Sequence, residues 1–154
     1  MRFALGLWVL VLFAAAVPAS LPASPASGPI VGAWHPESYV LKDGTEYAVS
    51  GLIFFTESDW TVLFFVQDED GNVRRGSGEG GTYTLEGDRL TFTHFYHLSA
   101  GDAVGSLAES PLRMSVRDAA EAAAEPCRVD VREQSMTIEF PSGNRMEFQR
   151  SSGS

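Results

Sequence analysis

The sequence predicts an all-β fold: a small antiparallel up-and-down barrel of eight or nine strands with one short helix. Three observations lead there. Period-two alternation of apolar and polar residues fills most of the chain beyond residue 30, and helical periodicity is almost absent. Turn chemistry separates many of the runs: KDG at 42–44, DEDGN at 68–72, EGD at 86–88 and PSGN at 141–144. An inward-phased arginine, Arg150, closes the last strand, and a Gly32-x-Trp34 pair opens the first.

The chain has 154 residues, room for one domain. Residues 1–19 have the layout of a secretory signal peptide: a basic start at Arg2, then the uncharged run FALGLWVLVLFAAAV, then small-residue sites at Ala19 and Ala23. The alternative is an uncleaved anchor, but the run is shorter than the ~20 residues that span a bilayer. No cysteine lies near the cleavage site, which excludes a bacterial lipoprotein anchor. Residues 20–29, rich in Pro, Ser and Ala, read as a disordered linker, 30–150 as the folded domain and 151–154 as a disordered tail. The expected location is exported, either periplasmic or secreted, with no membrane span left after cleavage.

Cys127 is the only cysteine, so no internal disulfide can form and packing must supply stability. Its phase with Val129 and Val131 reads as a buried core position. The formal net charge is -9 and the basic residues are scattered, only Arg74-Arg75 being adjacent. Nucleic acid and anionic membrane are therefore poor partners.

In chain order, strands are expected at 30–41, 47–56, 60–67, 81–86, 89–98, 111–117, 127–133, 135–140 and 145–150. Leu85 into Leu90 and Ile138 into Met146 form tight hairpins. The last two strands alternate cleanly, with Met136, Ile138, Phe140, Met146 and Phe148 facing a core. The segment GLIFFTESDWTVLFFV is apolar on both faces, so Phe54 and Phe65 should lie outside, under the helix or in a homodimer contact. DAAEAAAE, Asp118 to Glu125, supplies the helix: Asp118 and Glu121 have capping-box spacing and Pro126 ends it. GSGEGG at 76–81 spells a dinucleotide fingerprint but precedes a strand rather than a helix, and reads as a flexible loop.

Arg150 lies in phase with Met146 and Phe148 and should point inward. A guanidinium at the edge of an apolar core is costly unless screened. The face of an indole screens it, by roughly 1–2 kcal/mol when desolvated, while backbone carbonyls accept its N–H bonds. In a closed meander the first and last strands are neighbours. Trp34 is then a barrel plug, Arg150 its clasp, and Gly32 the residue that permits close backbone approach. These residues carry a resemblance. GAW with a terminal FQR resembles the Gly-x-Trp and arginine signature of the lipocalin/calycin superfamily. Gly51–Thr56 and the hairpin Gly81–Thr91, GTYTLEGDRLT, resemble bacterial lipocalin-like domains. The resemblance covers most of 30–150, least clearly 99–126, and implies a minimal barrel with an interior that can take a small molecule.

His94 aligns with Leu90, Phe92 and Tyr96 on the expected interior face, with Tyr83 on the paired strand. A histidine with two tyrosines in an apolar pocket could orient a ligand, or be a hydrogen-bonded core group. His94, Tyr96, Tyr83 and Phe92 are the candidate ligand-binding residues. His94 and His97, three apart on a strand, should point to opposite faces and cannot share a metal; no metal or cofactor is expected. No carboxylate or nucleophile is readable beside His94, and no catalytic residue is assigned. DEDG at 68–71 lacks the remaining ligands of a calcium loop. Three functions compete: a carrier of a small, mostly apolar ligand; a filled barrel acting as a protein-interaction module of the envelope or secreted fraction; and an enzyme such as an isomerase or cyclase. The first leads.

Overall fold

A computed structural model describes residues 28–152. The signal-peptide reading of 1–19 and most of the linker lie outside them. Nine strands follow one another: β1 Gly32–Val40, β2 Glu46–Phe55, β3 Asp59–Gln67, β4 Val73–Glu86, β5 Arg89–Gly101, β6 Ser110–Val116, β7 Ala124–Val131, β8 Ser135–Glu139 and β9 Arg145–Arg150. All pairings are antiparallel. Eight strands close a ring in the order β1-β2-β3-β4-β5-β7-β8-β9, with β9 returning to β1; β6 is an extra strand on the far half of β5. The fold is a closed eight-stranded antiparallel up-and-down barrel with one extra strand.

Closure is built from the residues that suggested it. Trp34 pairs with Arg150 across β1 and β9. The Arg150 guanidinium carbon sits 3.9 Å from the centre of the Trp34 ring. Its N–H groups donate to the carbonyls of Pro29 (2.6 Å), Val31 (3.1 Å) and Glu133 (2.9 Å). The wholly buried Trp34 donates its own N–H to Ile30 O at 2.8 Å. Gly28 and Pro29, given to the linker by composition, therefore belong to the turn that the arginine holds. Ser151, given to the tail, donates its backbone N–H to Ala33 O. Gly32 has φ +127°, and a β-carbon there would stand 3.2 Å from an Arg150 nitrogen. Its lack of a side chain makes room for the clasp.

Seven of the eight ring strands fill the interior at this end: Trp34, Ile53, Phe55, Trp60, Leu90, Phe92, Cys127, Val129, Met136, Ile138, Met146 and Phe148 form one buried cluster, against which Tyr83 and Leu85 of β4 pack. Burial pushes the Cys127 thiol up to about 12, so it stays an inert core group.

Two expectations fail. No helix forms among the described residues. Asp118 does cap, accepting N–H bonds from Ala120 and Glu121, but only a single turn follows. Ala124 and Glu125 are instead recruited as the start of β7, opposite Thr93 and Phe92. Ladder pairing outweighs alanine's weak helix preference. The outer apolar face thus has no helix over it. GSGEGG is likewise not a loop but the middle of β4. Its glycines are there for space: Phe65 leans over Gly76, and a β-carbon on Gly81 would collide with the Thr93 carbonyl.

Arg150→Met, which keeps bulk and removes the charge, is expected to cost about 2 kcal/mol or more in urea unfolding. Gly32→Ala should cost about 1 kcal/mol or more, since it puts a side chain at positive φ against the guanidinium.

Candidate functional site

The interior is not solid. Between the plugged end and the end formed by the turns at 41–45, 68–72 and 140–144 lies a cavity of about 260 Å3. Ile53, Trp60, Val62, Phe92, Ile138, Met146 and Phe148 line its deep part, and Tyr39, Phe64, Phe140 and Ser142 its outer part. One polar group of residues interrupts this lining: Glu79 from β4, His94 from β5 and Glu125 from β7.

These three touch. His94 Nδ1 lies 2.9 Å from Glu79 Oε2 and His94 Nε2 3.1 Å from Glu125 Oε2, so a protonated imidazole donates to a carboxylate at each end. Ser77 Oγ donates to the other Glu79 oxygen at 3.0 Å. The hydrogen bonds to Glu125 and then Glu79 outweigh desolvation and raise His94 to about 9. Burial alone would raise Glu79, but the bonds from His94 and Ser77 hold it below its ordinary value. At neutral pH the cluster is an ion triad of two anions and one cation. The ring of Trp60 meets His94 edge-on, 5.1 Å between centres. Trp60 is only 6% exposed, and its indole N–H has no hydrogen-bond partner among the described residues.

A bulge decides which residues reach this site. On β5, His94 pairs with Gly81 but Tyr96 pairs with Gly80, so Phe95 is an extra residue and the alternation inverts after it. Tyr96, expected inside beside His94, is therefore 58% exposed on the outer wall. His97, expected to oppose His94, faces the same way: its Nδ1 is 3.5 Å from Glu79 Oε1. A bulge at Glu37 of β1 works in the other direction, pairing Tyr39 with Met146 and turning it into the cavity. There its hydroxyl accepts a 2.6 Å bond from Asn144, and burial raises its pKa.

Of the four candidate ligand-binding residues, His94 and Phe92 line the cavity. Tyr83 sits deeper, edge-on to Phe55, its hydroxyl donating to Thr56 O at 2.6 Å, and does not reach the cavity wall. Sequence reasoning missed Glu79, Glu125 and Tyr39. Glu125 had been assigned to the helix and Glu79 to a loop; the signal available was the period-two phase of Glu125 with Cys127 and Val129. No group of three His, Cys, Asp or Glu residues among those described is arranged to hold a metal ion.

The segment between β5 and β6 folds against the open end. Val104 and Leu107 form a tight bridge and pack with Tyr47, Val49 and Val66. The Tyr47 hydroxyl accepts the Ser106 N–H at 2.9 Å and donates to Val104 O at 3.3 Å. Arg75 donates to the carbonyls of Asp102 and Ala108. The 102–109 loop is thereby pinned as part of the rim.

No protein-family model matches the chain, and no curated protein does. Among solved structures, it is similar to a lipocalin-like protein from Bacteroides uniformis ATCC 8492, at 18% identity over 80% of this chain and 100% of that one, TM-score 0.49. An uncharacterized protein from Bacteroides eggerthii DSM 20697 is similar at 13% identity over 79% and 99%, TM-score 0.47. So is a de novo designed fluorescence-activating beta barrel, at 18% identity over 84% and 100%, TM-score 0.43. At such identities and scores the likeness concerns the chain path alone.

A proton titration of His94 by NMR should show its midpoint near 9, well above the ordinary 6.5. Because the folded value is raised, the triad's contribution to stability is complete below about 6.5 and fades as pH rises through about 9. His94→Gln should remove that alkaline loss; a His94 midpoint below 7 would contradict the ion triad.

Proposed function

We propose that this chain is an exported lipocalin-like barrel that binds a small, mostly apolar molecule in its interior. The observation that carries the reading is the cavity: apolar walls of Ile53, Val62, Phe92, Ile138 and Phe148, with polar groups gathered on one side. That is the make-up of small-molecule sites, in which buried apolar surface supplies affinity and a few fixed polar groups supply orientation. About 260 Å3 is just below the ~300 Å3 at which ligand pockets usually begin, so the ligand is small, of one ring or a short chain. Catalysis has less support: the two carboxylates are engaged with His94, and the one serine on the lining, Ser142, accepts the Asn144 N–H rather than bonding His94. Export rests on the signal-like residues 1–19 and is tested by sequencing the N-terminus of the mature protein.

The barrel should take up the neutral dye Nile red saturably, with an enhanced, blue-shifted emission. Val62→Phe, which fills the cavity from β3, should abolish uptake while thermal unfolding stays cooperative. Absence of dye uptake by the folded wild-type protein, together with no small molecule carried in native mass spectra, would end the reading.

A second reading, association of two copies through the outer wall, is favoured by one observation. Phe54 is 45% exposed and Leu63 50%, with no helix covering them; Phe65 is partly buried over Gly76. Sedimentation should then show a concentration-dependent dimer that Phe54→Ser disperses, and a monomer at all concentrations would count against it.

A further inference from the structure

The interior-binding reading leaves open what the ligand carries at its polar end, and the charges in the cavity wall bear on that. The lining holds two carboxylates, Glu79 and Glu125, and one imidazole, His94; no lysine or arginine is among the lining residues. With His94 between the two acids, the cluster has one negative charge in excess. Arg75, farther along β4, gives its guanidinium to the carbonyls of Asp102 and Ala108 on the rim loop. His97 shares Glu79 with His94 and bonds Ser99 at 2.9 Å. A carboxylate ligand would therefore meet uncompensated negative charge in a partly desolvated space, where like charges repel strongly.

A ligand nitrogen meets the opposite situation. Glu125 has one oxygen on His94 and a second with no bond in the structure, and its side chain is 36% exposed, so it can still accept from a donor in the cavity. The second observation is independent of charge. The N–H of Trp60, a lining residue from β3, is buried without an acceptor among the described residues. An unpaired buried donor costs roughly 1–3 kcal/mol, which an acceptor brought by a ligand would recover. Register places Trp60 opposite Gly81, which pairs with His94, and Val62 opposite Glu79, so the indole lies beside His94 and one inward step deeper than Glu79. The cavity wall thus offers a carboxylate acceptor and an indole donor on either side of His94.

We propose that the cavity selects a small amine: an apolar body with a protonated nitrogen held by the free oxygen of Glu125, and one hydrogen-bond acceptor for the indole of Trp60. The proposal rests on interior binding and adds the ligand's charge and polarity. Binding leaves both carboxylates ionised and His94 in place, and brings the site as a whole to neutrality.

Three near-isosteres test it on the wild-type protein: tyramine, the neutral tyrosol and the anionic 3-(4-hydroxyphenyl)propionate. Each is used to displace Nile red and is followed by calorimetry. Tyramine should displace the dye at concentrations at least tenfold lower than the carboxylate, with tyrosol between them. Glu125→Gln should shrink the ratio of tyramine to carboxylate affinity, measured by calorimetry, at least threefold. Equal displacement by all three, or preference for the anion, in a protein that takes up Nile red overturns the amine proposal and leaves interior binding standing. Tyramine heat that persists in Val62→Phe assigns the amine to the acidic exterior and also overturns it. Failure of dye and all three compounds to bind overturns interior binding itself.

Discussion

The stacking of Arg150 on Trp34 is the contact on which the rest of this barrel depends. A meander of eight strands has two free edges until its ends meet, and exposed edges invite pairing with other chains. Here the ends are joined by the β1–β9 ladder and by a guanidinium that reaches three carbonyls, two of them before β1 and one between β7 and β8. The same arginine fixes the turn at Gly28–Ile30, whose carbonyl receives the indole N–H. Without a disulfide, this clasp, the ladder and the Ser151 N–H bond to Ala33 O tie the two ends of the described chain together. Sealing one end in this way leaves the opposite end as the place where a cavity can open.

Polar groups enter the interior through irregularity rather than through the regular pleat. A perfect β5 would have placed Tyr96 beside His94 and sent His97 outside. The extra residue Phe95 reverses both, so that two histidines converge on Glu79. The extra residue Glu37 does the same for Tyr39. Bulges commonly re-aim side chains beside functional sites, and both of these deliver a polar group toward the cavity or its rim. Burying Glu79 would be expensive alone; His94 and Ser77 compensate it, and the triad persists as a unit.

Most of the fold was legible because its signal is periodic. The number of strands, most of the turns and the pairing of Trp34 with Arg150 follow from phase, turn chemistry and the expense of an inward arginine, whereas β4 and β7 begin earlier than their alternation suggested. What escaped was whatever depends on a count of one. A single inserted residue leaves hydrophobic alternation intact on either side, so Tyr96 and His97 were assigned to the wrong faces. The helix at 118–125 failed for a different reason: propensity is local, whereas the edge of β5 opposite Thr93 needed a partner. GSGEGG read as flexible because glycine is permissive, yet here the missing β-carbons let Phe65 and the Thr93 carbonyl approach. The site was consequently half visible. His94 and Phe92 stood out by phase, while both of the histidine's acidic partners lay in segments taken for loop and helix.

Closure of the ring is the premise beneath the cavity, the triad and the ligand class, and residue-resolved hydrogen exchange measures it directly. The backbone amides that join β1 to β9, from Trp34 to Val40 and from Arg145 to Arg150, should exchange as slowly as those of the β2–β3 ladder. Seam amides exchanging as fast as those on the outer edge of β6, while β2–β3 stays protected, would mean an open sheet and would contradict the account.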